Sequence, residues 1–167
     1  MHTDAILRNI RKIIRALNLE SKKIQKEYGL TMTQLLVLRH LYNAPEQQAT
    51  QKELCESLTL SRSTVTGIID RMEKKALVKR LPKKNDRRTN YIGLTESSFA
   101  LITSIPDPIH ERLVNHLSEA TGEEQNKISE ALKMLTHFLG IDNLEASPLL
   151  TNEELSSDQH KKTEKST

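Results

Sequence analysis

The stretch LSRSTVTGIIDRMEKKALVKR, Leu60 to Arg80, decides how the rest of this 167-residue chain is read. Ser61 is a helix-capping residue type, because its hydroxyl can accept from an unpaired amide of the first turn. Val65, Ile68, Ile69 and Met72 then recur at intervals of three and four, which makes one side of a helix apolar. Arg62, Ser63, Thr66, Asp70 and Lys74 fall largely on the opposite side, and the stretch runs out into a basic, strand-like end. A short helix thus keeps Ser, Thr and Arg on its open face and is followed by a run of cations.

Immediately upstream, Thr50 and Glu53 form a capping-box pattern, and the helix they open turns Leu54 and Leu58 inward. Only Thr59, Leu60 and Ser61 separate it from the next helix, which is the spacing of a helix-turn-helix. Downstream of Leu77, VKRL, the loop PKKNDRRTN and YIGL read as two short strands around a basic tip. Pro82, which cannot donate to a ladder, suits an edge hairpin. Helix-turn-helix plus hairpin is a winged helix.

Such an assembly fits duplex DNA. The major groove is ~12 Å wide and admits one helix. Hydroxyls of Ser and Thr can bond phosphates or base edges, Arg can fork onto guanine, and Thr66 also carries a methyl for thymine. Ser61 and Ser63 lie near a helix N-terminus, where backbone amides favour a phosphate. Lys83, Lys84, Arg87 and Arg88, at a projecting tip, can enter a minor groove. The charge distribution agrees. Residues 50–95 carry 11 Lys/Arg against 5 Asp/Glu, whereas residues 96–140 carry 3 against 7, although the whole chain is only +3. A basic segment in a near-neutral chain is also what a merely solvated face would give.

The flanks read as helices. Ile6, Ile10, Ile13, Ile14, Leu17 and Ile24 form one stripe of a long amphipathic helix that Gly29 ends. Thr31 and Gln34 box the next, whose Leu35, Leu36, Val37, Leu38, Leu41 and Tyr42 leave it apolar on nearly every side, hence central. Thr95 caps a helix from about Glu96, which Pro106 and Pro108 must kink or break before it resumes with Ile109, Leu113 and Leu117. Thr121 and Glu124 open a last helix with Ile128, Leu132, Leu135, Phe138 and Leu139 on one face, closed by Gly140. The expected organisation is therefore a helical dimerisation region at 1–30 and 96–140, a winged helix-turn-helix at 31–95, and an extension at 141–167 that is mostly a disordered tail. The stripes on the first and last helices exceed what one small domain covers, so a two-fold dimer is expected, with recognition helices ~34 Å apart.

The segment LCESLTLSRSTVTGIIDRMEKKALVKRLPKKNDRRTNYIGLT resembles the central motif of the MarR family of winged helix-turn-helix transcriptional regulators. Leu54, Leu58, Ser61, Thr64-Val65-Thr66, Ile69-Asp70-Arg71, Glu73, Leu77-Val78, Arg80, Asp86-Arg87-Arg88 and Leu94-Thr95 carry the resemblance, and the flanking helices extend it over about residues 5–140. It implies a homodimer whose first and last helices interlock and which binds a pseudo-palindromic operator, usually as a repressor; a small-molecule effector is a candidate further partner. By motif position it sets Arg62, Ser63, Thr64 and Thr66 against the major groove and Arg87 in the minor groove, with Asp86 orienting Arg88. Arg71 is either a phosphate contact or a partner of Asp70 or Glu73. The family usually has Ala in place of Cys55 and Gly in place of Ala76 and Ser98; Ala76 costs ~1 kcal/mol if the helix exit needs a left-handed residue. IRALNLESKKIQKEYGLTMTQLLVL, the proline-containing fifth helix and DNLEASPLL are further similar to regulators of compatible-solute synthesis, such as ectoine or glycine betaine, which makes osmotic stress the expected signal.

Other classes are less well served. Cys55 invites an oxidant-sensing regulator, but Glu53 and Glu56 beside it raise a thiol pKa, and a small core residue is the commoner use. Its being the one cysteine excludes an internal disulfide and favours a reducing, cytoplasmic setting. No apolar run approaches ~18 residues, so no membrane span or membrane partner is expected, and MHTDAILRNIRK lacks the features of a secretion signal. His110 and His116 do not share a helix face, so no metal and no cofactor is expected. Tyr28 and Tyr42 are candidates for an effector pocket between dimer helices and winged domain, although the edge of the core is the commoner place for such residues. A Gly-rich phosphate loop, G-x-S-x-G and H-E-x-x-H are all absent, so the chain does not read as an enzyme. A helical protein-interaction adaptor is the other class to be separated from a DNA binder.

Overall fold

The computed structural model describes residues 2–82 and 90–144. The wing-tip residues Lys83, Lys84, Asp86, Arg87 and Arg88 lie outside the described residues, as does the extension from residue 145 onward. The elements run α1 His2–Tyr28, α2 Met32–Asn43, a 3-10 turn Pro45–Gln47, β1 Gln48–Thr50, α3 Gln51–Leu58, α4 Arg62–Lys74, β2 Val78–Pro82, β3 Asn90–Leu94, α5 Glu96–Ser104, α6 Ile109–Glu119 and α7 Gly122–Phe138. The chain is mainly helical with a small sheet, as its periodicity requires.

Threonines start most of these helices. Thr31, Thr50, Thr95 and Thr121 each accept from the amide three residues on, and Gln34, Glu53, Ser98 and Glu124 bond back to the cap amide. Each box satisfies two of the donors that a helix N-terminus leaves open. Ser98, which is fully buried, completes a box in place of the usual Glu or Gln.

The sheet is larger than the hairpin expected from the sequence. β3 lies in the centre, antiparallel to β2 on one side and to β1 on the other, in the order β1-β3-β2. Arg80 pairs with Ile92 and Leu81 with Tyr91, while Ala49 meets the same Ile92 from the other edge. β1 has only three residues, too few for alternation to register, and it ends on the Thr50 cap of α3.

The described residues divide into two units. One holds Ser21–Ile105 and owns the core: Leu30, Leu35, Val37, Leu38, Leu41, Leu54, Val65, Ile68, Met72 and Ile102 are all at most 1% exposed. α2 is its central rod, buried on nearly all sides down to Thr33 and Gln34. Arg39 on α2 donates to the carbonyl of Ile105 at 2.6 Å, fixing the end of α5. The division falls at residues 20 and 105, so α5 and the last part of α1 sit with the sheet-bearing unit.

The other unit holds the described residues up to Glu20 and from Pro106 on. Pro106 and Pro108 separate α5 from α6 as expected. Pro108 gives α6 no side-chain cap, and the carboxylate of Glu20 supplies one, accepting from the amide of Ile109 at 2.8 and 3.0 Å. α6 and α7 have no buried residue at all. Ile13 is 59% exposed, Leu132 54% and Phe138 74%.

Candidate nucleic-acid interface

α3 and α4 meet through a turn that the sequence can make only under constraint. Leu60 donates to the carbonyl of Cys55 at 3.0 Å, closing α3 on Thr59, whose φ of 53° is left-handed. A β-branched residue rarely adopts that conformation. Leu58 and Leu60 are buried on either side of it and hold the turn in place.

Ser61 caps α4, accepting from the amide of Thr64 at 3.2 Å. Its Oγ also lies 2.9 Å from Ser63 Oγ and 2.8 Å from Thr64 Oγ1, so the hydroxyls of the first turn bond to one another. Ser61 and Arg62 are exposed, and Ser63 and Thr66 half-buried. Thr64 is not on the open face. It is 2% exposed, with its hydroxyl turned to Ser61, and this corrects its expected place against a groove. Thr64 precedes Val65 on the helix, and the wide apolar arc that buries Val65, Ile68 and Ile69 takes it in.

Two side chains from other elements hold α4 on its polar side. Gln51, at the start of α3, donates from Nε2 to Thr66 Oγ1 at 2.5 Å and to the carbonyl of Arg62 at 3.1 Å. Arg80, on β2, donates from Nη2 to Asp70 Oδ1 at 2.5 Å and from Nη1 to Glu73 Oε2. The bond to Asp70, chiefly, raises the pKa of Arg80 further. Arg80 thereby engages one oxygen of each of the two carboxylates named as alternative partners of Arg71. Arg71 is half-buried, and its Nη2 has no acceptor among the described residues. Gln51 and Arg80 act as positioning groups that sequence reading did not single out. Gln51 gave no signal, whereas Arg80 appeared only as one matched position of the family motif.

α4 leaves through a paired exit. Leu77 donates to the carbonyl of Met72 and Ala76 to that of Glu73, both at 2.9 Å, with Ala76 at φ 54°. This is the Schellman arrangement, in which glycine is preferred at the left-handed position. Thr95 Oγ1, beyond the wing, donates to the Ala76 carbonyl at 2.8 Å, so the two ends of the wing are fastened together.

The remaining candidates fall elsewhere. Cys55 is half-buried against the core, where burial and then Glu56 push its thiol up while Arg62 acts the other way. Tyr28 and Tyr42 both pack on the edge of the core, and the ring of Tyr42 lies 5.5 Å from that of Phe99. A groove of about 620 Å³ along α6 and α7 is lined by neither; Leu113, His116, Leu117, Ala120, Lys127 and Ile128 line it. Among the described residues no group of acidic, His and Cys side chains is arranged to hold a metal, and no helix is long and apolar enough to cross a membrane.

The model of the MarR family matches residues 30–89, from the start of α2 to the wing. An uncharacterized helix-turn-helix-type transcriptional regulator of Bacillus subtilis, YfiV, is 30% identical over 110 residues, covering 66% of this chain and 68% of its own. The homoprotocatechuate degradative operon repressor of Escherichia coli is 30% identical over 122 residues, 73% of this chain and 79% of its own. These relatives are regulators and not enzymes. Among solved structures, S. aureus MepR bound to DNA superposes with a TM-score of 0.58 over 79% of this chain and 96% of that one, at 23% identity, a likeness of fold. With capped α3, turn and α4 set against a three-stranded sheet, and with relatives 30% identical that the chain matches over two thirds or more of their length, the chain belongs to the MarR family of winged helix-turn-helix transcriptional regulators.

Proposed function

We propose that the chain is a sequence-specific duplex-DNA-binding repressor that acts as a homodimer on a pseudo-palindromic operator. The observation that carries this reading is α4, which keeps Ser61, Arg62, Ser63 and Thr66 on its accessible side while Gln51 and Arg80 hold it. Arg62 supplies the fork for a guanine edge, and Lys83, Lys84, Arg87 and Arg88 supply the wing's contact with the neighbouring minor groove. Arg71 is assigned a phosphate. That the similar Escherichia coli protein is an operon repressor, and that MepR is seen on DNA, both support the reading.

The homodimer is supported by the apolar faces of α1, α6 and α7. Ile6, Leu7, Ile13 and Ile14 on α1, and Ile128, Leu132, Phe138 and Leu139 at α7, are each more than 40% exposed. So much exposed apolar surface is what a second subunit covers. A small-molecule effector is part of the proposal. The likeness of the end segments to regulators of compatible-solute synthesis makes ectoine and glycine betaine the first solutes to try, and a cytoplasmic setting follows from the proposed work on DNA.

The test is fluorescence anisotropy with duplex from the DNA flanking the protein's own gene, over a salt series, with sedimentation velocity on the free protein. A dimer is expected, with affinity falling steeply as salt rises through counterion release. Arg87→Ala should weaken binding and flatten the slope by about one unit. A monomer, or a chain indifferent to every duplex as an adaptor would be, defeats the proposal.

A further inference from the structure

Thr66 stands on the polar side of α4 with its hydroxyl already engaged. Its Oγ1 donates to the carbonyl of Arg62, one turn back, at 2.8 Å. The same oxygen accepts from Gln51 Nε2 at 2.5 Å, and that amide also reaches the Arg62 carbonyl at 3.1 Å. A threonine hydroxyl has one proton and two lone pairs. The proton lies on Arg62 and one lone pair faces Gln51. Thr66 therefore cannot donate to guanine O6 or N7, adenine N7 or thymine O4 without opening this ring of bonds. Its methyl is untouched by any of them.

We propose that Thr66 is a specificity-determining residue that reads the 5-methyl group of a thymine by apolar contact, and that Gln51 is the positioning residue which keeps the hydroxyl turned away. This rests on the duplex-binding reading above and adds to it a base and the group recognised on that base. It divides the labour on α4. Arg62, one turn earlier and exposed, brings the donors, and Thr66 brings the apolar contact. The hydroxyls of Ser61 and Thr64, closed on one another in the first turn, stay with the cap.

The test uses the full chain and a duplex that the protein itself selects from a random library. Each thymine of a half-site is replaced in turn by deoxyuridine, which lacks only the methyl. At one thymine per half-site the wild type should lose about fourfold in affinity, the worth of one buried methyl-sized group. Thr66→Val keeps the shape and removes the hydroxyl; it should keep the dependence on that methyl, read as the ratio of affinities for the thymine and deoxyuridine duplexes. Thr66→Ser keeps the hydroxyl and removes the methyl; it should lose about the same factor and become indifferent to deoxyuridine there. Gln51→Ala should reduce the dependence below that of the wild type. Circular dichroism melts of all variants separate binding from folding, and the deoxyuridine series on the wild type stands without any variant. If Thr66→Val behaves as Thr66→Ser does, the hydroxyl is the reader and the inference is overturned. It is equally overturned if no thymine methyl is coupled to residue 66 although binding is tight and salt-dependent. A chain that binds no duplex takes the underlying reading down with it.

Discussion

Arg80 Nη2 lies 2.5 Å from Asp70 Oδ1, and its second nitrogen bonds Glu73, so one guanidinium on β2 grips two carboxylates one turn apart on α4. The fork suits this task better than an ammonium would, because its donors are fixed in one plane. The three side chains are 38–48% exposed, which keeps the electrostatic gain small. Arg80→Gln should cost about 0.5–1 kcal/mol, read from urea denaturation. If Asp70 is a genuine partner, Asp70→Asn in the Arg80→Gln background should cost less than it does alone. Strict additivity would show that the contact contributes nothing.

Ala76 offers the opposite sign. It occupies the left-handed position of the α4 exit at φ 54°, where its Cβ is unfavourable. Ala76→Gly should therefore stabilise the protein by about 1 kcal/mol despite the greater freedom glycine gives the unfolded chain. The exit bonds of Ala76 and Leu77 are backbone bonds and survive the change. A lowered denaturation midpoint would mean that the strain is relieved in some other way.

The capping boxes predict how stability follows pH. Glu53 is held below its ordinary value of 4.5, first by the amide of Thr50 and then by its hydroxyl. Glu124 is lowered in the same way by Thr121. A carboxylate whose folded pKa is depressed contributes stability above its unfolded value and loses that contribution as pH falls through the folded one. Glu53→Gln keeps the box but cannot ionise. The wild type should melt above this variant at neutral pH, and the gap should close as pH drops below 4.5. A gap that stays constant down to the most acidic buffer in which the fold persists would remove the charge from the account.

Much of this was legible because the signals are local. Thr31, Thr50 and Thr121 declare their boxes within four residues, Gly29 and Gly140 mark helix ends, and Pro106 with Pro108 breaks a helix by lacking donors. The buried side of α4 followed from spacing alone. What was missed depends on contacts distant in the chain. β1 exists because Ala49 finds Ile92, more than forty residues away. Thr64 sits at the margin between the two sides of α4, where periodicity does not decide, and packing drew it in. Gln51 and Arg80 matter only through what they reach across the fold, and no pattern along the chain announces a reach.

Cys55 supplies the last prediction. An oxidant sensor needs a thiolate that solvent can reach. Cys55 is half-buried, and burial first, with Glu56 behind it, raises its thiol, while Arg62 opposes them without prevailing. At neutral pH the protonated form dominates, and the protonated form is not the nucleophile. Alkylation by iodoacetamide should therefore run slower than for a free cysteine under the same conditions. Hydrogen peroxide at levels that oxidise exposed thiols should leave duplex affinity unchanged, and Cys55→Ala should bind as the wild type does with or without peroxide. Loss of binding on oxidation that Cys55→Ala abolishes would make this residue a sensor after all, and would require the end of α3 to open far enough to expose it.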